Sequence, residues 1–198
     1  MNRCKVVLLV LMLCPFARGA MVQWAGNGHF YKGIVSPGIS WDDARVAAEE
    51  AGGYLATIGS EEENTFVFDL INNSDFWEVP AAWPLLQVGP WFGGVGSDGG
   101  TQWEWVTGED WVYENWDVWE PTGDENGVTH YFHDYRSAGV LGDPQPTWND
   151  SSRDWASVQG YIVEYSQNPI PAPGALFLGS LGTGVIVWMR RHSVGRSI

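Results

Sequence analysis

The chain has 198 residues, enough for one domain of ordinary size with appendages at its ends. Its 44% apolar content supports a packed core, and 13 Trp mean that large aromatic rings do much of the burying. The formal charge of −14 understates the polarity: Arg3, Lys5 and Arg18 lie at one end and Arg190, Arg191 and Arg196 at the other, so in between only four cations face 24 carboxylates, a net −20 that excludes nucleic acid and anionic surfaces as partners.

Residues 1–19 set Arg3 and Lys5 before an apolar run from Val6 to Leu13 and close on Ala17-Arg18-Gly19, the pattern of a secretory signal peptide. The bulky Leu13 before Cys14 speaks against a lipidated cysteine. Cys4 and Cys14 both fall in this leader, so the exported domain (20–168) contains no cysteine and its fold cannot rest on disulfides.

Within the domain, Ser40 followed by Asp43 starts a helix whose Ala44, Ala47, Ala48 and Ala51 form a narrow small-residue face, ended by Gly52-Gly53. Tyr54 to Ile58 reads as a short strand. Ser60 with Glu63 caps a second helix, expected to turn Phe66, Leu70 and Ile71 inward, with Glu61, Glu62 and Glu63 placed to suit the helix dipole. Ser74 to Pro90 has no periodicity and reads as a loop. Trp91 to Val95 reads as a buried strand, turned by Asp98-Gly99-Gly100 into a second strand from Trp103 to Val106.

Two acidic stretches follow: Glu120-Pro121-Thr122 with Asp124-Glu125-Asn126, and Trp148-Asn149-Asp150. Clustered carboxylates and amides in Gly- and Pro-rich loops suit a hard divalent cation, which takes several oxygens at once. Their flanks are Trp103-Glu104-Trp105-Val106-Thr107-Gly108 and Tyr113-Glu114-Asn115-Trp116 upstream, and Tyr161 to Tyr165 downstream. From Ser40-Trp41 onward this order resembles the C-type lectin-like domain, and the resemblance covers roughly residues 24–166.

The resemblance implies an α+β, C-type lectin-like fold: two helices flanking small antiparallel sheets, with a long-loop calcium region. It places a calcium ion on Glu120, Thr122, Glu125, Asn149 and Asp150, with a cis peptide before Pro121, and the same residues would bind a carbohydrate through vicinal hydroxyls. Thr122 departs from the family's Asn, replacing an amide with a shorter, poorer ligand, so the family's rules for mannose-type and galactose-type sugars do not carry over. Gly127 and Val163 stand nearest to where the animal members have cysteines, a departure shared with bacterial members. The implied function is a calcium-dependent carbohydrate-binding module whose partners are glycans or exopolysaccharide. The alternative is a structural or protein-binding surface module of the same fold with a degenerate ion site, contacting surface proteins.

Other chemistry is poorly supported. His130 and His133, three apart in an alternating strand, face opposite sides and do not converge on zinc. With no nucleophile elbow, phosphate loop or His-Glu-x-x-His pattern, no enzymatic activity is expected. Phe132 to Pro146, with Gly139, Gly142, Pro144 and Pro146, reads as a loop, either a lid over the site or an insertion.

The tail (169–198) joins Pro169-Ile170-Pro171-Ala172-Pro173-Gly174 to an apolar stretch from Ala175 to Met189 and then Arg190-Arg191. It resembles the PEP-CTERM sorting signal of Gram-negative bacteria, which implies secretion, transient membrane contact through a short transmembrane helix, and delivery through inner-membrane sorting to the cell surface or extracellular matrix. A simple membrane tail is the alternative, although about 15 residues with three glycines are short for a stable span.

Overall fold

A computed structural model describes residues 20–123 and 127–168; the expected leader, the expected sorting tail and Glu125 lie outside the described residues. Both helices begin where the serines place them. Ser40 caps α1 (Trp41–Glu50) by accepting the Asp43 N–H at 3.1 Å, and Ser60 caps α2 (Glu61–Ile71) by accepting the Glu63 N–H at 3.2 Å. On α1, Ala44 and Ala48 are fully buried, which lets the helix lie close to the sheet. Gly52, at φ 83°, ends the helical turn, and Gly53 then passes so near the last strand that a Cβ would sit 2.4 Å from the Glu164 carbonyl oxygen.

Of the three residues expected to turn inward from α2, Ile71 is fully buried and the other two are not. Glu63, Asn64, Val67, Phe68 and Ile71 are buried, whereas Phe66 and Leu70 pack only partly against the core. The polar pair has partners inside. Glu63 accepts from the Tyr31 hydroxyl and from the Gly59 N–H at 2.7 Å, and Asn64 Oδ1 accepts from the Tyr131 hydroxyl at 2.7 Å and the Trp148 indole at 2.9 Å. Hydrogen bonding removes the usual penalty of burying such groups.

The strands are β1 (Val22–Gln23), β2 (Phe30–Val35), β3 (Tyr54–Leu55), β4 (Leu86–Ser97), β5 (Gln102–Trp105), β6 (Val128–Asp134), β7 (Trp148–Ser151) and β8 (Gly160–Tyr165). Their spatial order is β1-β2-β8-β4-β6-β7, with β3 paired to β8 and β5 to β4. β2 and β8, distant in sequence, pair from Phe30 opposite Tyr165 to Val35 opposite Gly160. Among the described strands the pairings are antiparallel except that of β4 with β8 at Trp91 and Tyr161, and an isolated parallel bridge joins Trp116 to Trp148. One core, with Trp41, Trp91 and Phe132, includes residues of α1; the other, with Phe92, Tyr131 and Trp148, includes residues of α2.

Two loop readings shorten. Leu86 to Pro90 belongs to β4, and Pro90 is tolerated because the register with β6 shifts between Val88 and Trp91, where a ladder N–H is not required. Phe132 to Asp134 belongs to β6, whose residues are nearly all buried and therefore show no inside–outside alternation. The segment 135–146 remains a connection between strands.

Candidate functional site

Trp148 anchors the site. Fully buried, it sits 5.1 Å from the Phe92 ring and 5.5 Å from that of Tyr113. The chain ahead of the acidic loop is laced alongside it: the Trp148 N–H donates to the Asn115 carbonyl, and the Asp117 N–H to the Trp148 carbonyl, each at 2.9 Å. That lacing carries Glu120, Pro121 and Thr122 to Asn149 and Asp150, nearly thirty residues away in sequence. The Glu120–Pro121 peptide is cis.

Asp150 is the clasp of the loop. Its carboxylate accepts the Thr122 N–H at 2.8 Å and the Gly123 N–H at 3.1 Å, and the Thr122 hydroxyl lies 3.4 Å away. Glu120 accepts the same Thr122 N–H at 3.1 Å. Burial, reinforced by the nearby Asp150 carboxylate, pushes the Glu120 carboxyl up to about 7. Trp119, just before it, is 66% exposed and holds a left-handed backbone at φ 71°.

Asn149 stands over His130. The His130 Nδ1–H donates to the Tyr131 carbonyl at 2.8 Å, leaving Nε2 to accept from the Asn149 amide at 3.3 Å. Burial drives His130 down to about 3, so the ring is neutral. The amide oxygen of Asn149, in a residue only 6% exposed, has no hydrogen-bond donor. His133 turns elsewhere, to Asp117 at 3.0 Å and the Thr147 hydroxyl at 3.1 Å, so the two histidines do not share a ligand position.

The structure thus brings Glu120, Thr122, Asn149 and Asp150 together. Among the described residues no group of three or more His, Cys, Asp or Glu side chains is placed to hold a metal. The oxygens present nevertheless suit a hard cation: an unpaired buried amide oxygen on Asn149, and a Glu120–Asp150 pair whose mutual repulsion a divalent ion relieves. Asn149 and Asp150 also line an open cavity of about 490 Å³, walled as well by Trp83 and Trp155. Sequence reasoning missed this wall, since Trp83 lies in the stretch without periodicity; its only signal was an aromatic residue set between Pro80 and Pro84.

The acids of α2 hold a further surprise. Glu63, expected at the helix dipole, is buried, and Glu164 at 1% exposure accepts from the Thr57 N–H at 2.9 Å and the Tyr54 hydroxyl at 3.0 Å, with His29 Nδ1 at 2.6 Å. Burial raises the Glu63 carboxyl. This network ties β2, β3, α2 and β8 together beneath a second cavity of about 270 Å³.

No family model matches the chain. It is 32% identical over 115 residues to Snaclec 3 of Sistrurus catenatus edwardsii, covering 57% of this chain and 72% of that protein. The chain belongs to the C-type lectin-like domain family. Human chondrolectin is 28% identical over 145 residues, 66% of this chain and 49% of its own, so the chain spans about half the length of that relative. Two solved structures share the lectin-like fold. The SPL-1 complex with GlcNAc has a TM-score of 0.54 at 19% identity, covering 80% of this chain and all of that one. The Ca2+-independent C-type lectin SPL-2 from Saxidomus purpuratus has a TM-score of 0.52 at 15% identity, covering 74% and 91%.

Proposed function

We propose that this lectin-like domain is a glycan-binding module that works with calcium held by Glu120, Thr122, Glu125, Asn149 and Asp150. The observation that carries the reading is the buried, unpaired Asn149 Oδ1, in a residue that lines a cavity of about 490 Å³ together with Thr122 and Asp150. An acceptor kept dry and without a donor costs stability, and a sugar hydroxyl or a cation offsets that cost. When bound, calcium supplies a Lewis acid able to take two neighbouring hydroxyls. The chain's own part is to hold the Asn149 oxygen fixed through the amide contact with His130, to keep Glu120 and Asp150 close, and to shape the cavity. An extracellular site with few and partly flexible ligands has an affinity on the order of 10⁻⁴ to 10⁻³ M.

The alternative, a structural or protein-binding module without a working ion site, has its own support. The Thr122 and Gly123 amides already occupy the Asp150 carboxylate, and one structural neighbour is described as Ca2+-independent. Calorimetric titration with calcium, together with melting at several millimolar calcium, separates the two readings. Binding to the folded state raises the melting temperature, and an unchanged melt with no heat of binding favours the structural module. The proposal includes export through residues 1–19 and surface delivery through the tail 169–198. Mass spectrometry of the native surface fraction tests the latter: a peptide containing Trp188 would mean a retained anchor.

A further inference from the structure

Trp83 has little to do for the fold. It is 51% exposed, yet its backbone is held twice: its N–H donates to the Pro80 carbonyl at 2.8 Å, and its carbonyl accepts the Leu86 N–H at 3.0 Å. Its ring meets that of Trp155 edge-on, with centroids 6.3 Å apart and planes at 85°. Trp155 is itself braced by His130 at 5.1 Å and Phe132 at 6.4 Å. Two indoles therefore form a right-angled corner, fixed before any ligand arrives, in the lining of the cavity that Thr122, Asn149, Asp150, Ser151 and Ser152 also line.

That combination of aromatic and polar lining matches one ligand shape. A pyranose has a face of C–H groups, weakly positive, and a rim of hydroxyls; an indole face is electron-rich and takes the former, while unpaired oxygens and serine hydroxyls take the latter. The charge in the site is acidic. The neighbouring cation, Arg153, is turned away, donating to Asp42 at 2.9 Å with its guanidinium 4.7 Å over the Trp41 ring. An anionic sugar stacked on the two indoles would meet the Asp150 carboxylate in the same cavity lining.

We propose that Trp83 and Trp155 form a stacking subsite for a neutral pyranose whose hydroxyl rim meets the Ser151 and Ser152 lining of the same cavity, and that this corner selects the sugar. The inference rests on the glycan-binding reading above. The subsite needs no cation for its own contacts, so its contribution is separable from that of the ion.

The test uses the full chain with Trp83→Ala, Trp83→Phe and Trp83→Leu, each titrated with calcium alone and passed over agarose bearing mannose, galactose, N-acetylglucosamine or sialic acid. The expected result is retention of the parent on at least one neutral sugar and not on sialic acid. Retention should weaken about tenfold in Trp83→Ala and Trp83→Leu and recover in part in Trp83→Phe, with calcium affinity unchanged throughout. Leu fills space without an aromatic face, so equal losses in Phe and Leu would overturn stacking. If all three variants bind sugar as the parent does, the subsite is refuted and the glycan reading stands. Binding to sialic acid in preference to neutral sugars would overturn the assigned ligand class. A parent that takes up no sugar at all refutes the glycan reading and the subsite with it.

Discussion

Acidification tests the interior beneath the site through His130. Burial holds this imidazole near 3 against an ordinary 6.5, so below about 6.5 the unfolded chain binds a proton that the folded one refuses. Its stabilising contribution is complete above about pH 6.5 and is lost at about 1.4 kcal/mol per pH unit as the pH falls towards 3. Between about pH 7.5 and pH 4.5 the loss comes to about 2.7 kcal/mol. Glu120 acts in the opposite direction. With a folded value of about 7 above an ordinary 4.5, it makes the folded state the better proton binder between those limits, so stability rises as the pH falls through 7. The nominal gain is similar in size, but Glu120 is only partly buried, and solvent screening reduces it to about 1 kcal/mol. Urea unfolding followed by Trp fluorescence, in EDTA at constant ionic strength, resolves the two. The penalty of reshaping the core in His130→Gln is present at both pH values and cancels. What remains is the titration, which should narrow the stability gap between parent and variant by about 2–3 kcal/mol on acidification. Glu120→Gln should instead steepen the acid loss by about 1 kcal/mol. A gap for His130→Gln that stays constant between the two pH values refutes the neutral, buried assignment of this ring.

Asp150→Ala leaves the Gly123 N–H without its carboxylate and the Thr122 N–H with Glu120 alone, and should cost about 1–2 kcal/mol in the same unfolding assay, even without calcium; an unaltered midpoint would mean that the clasp is not formed. Trp119→Gly relieves a bulky residue of its φ of 71° and should be about 1 kcal/mol more stable than Trp119→Ala, which keeps the strain, so equal stabilities would contradict that backbone conformation. Thr122→Asn adds an amide oxygen and should tighten calcium measurably by calorimetry, and unchanged affinity would remove residue 122 from the ligand set. Gly160→Ala should destabilise the domain, because the added Cβ would lie 2.1 Å from the Ile34 carbonyl oxygen where β2 and β8 pair; a neutral result would argue against that close approach.

What the sequence determined by itself was mostly local. The serines at 40 and 60 declare both helix starts because a cap is a contact between residues three apart, and Asp98-Gly99-Gly100 declares its hairpin because positive φ restricts which residues can stand there. The order of Trp, Glu-Pro and Trp-Asn-Asp segments carries the resemblance to the fold family within the chain itself. Only the tertiary structure decided which face of α2 turns inward, since Glu63 and Asn64 are buried by virtue of Tyr31, Tyr131 and Trp148, partners 32 to 84 residues away. It likewise decided that Pro90 lies in a strand, through a register shift against β6 that a single strand cannot show. The Trp83–Trp155 corner belongs to the same class: two rings 72 positions apart form a wall only when β7 and the following turn bring Trp155 beneath the proline-flanked loop, and nothing in the immediate neighbourhood of either residue encodes their meeting.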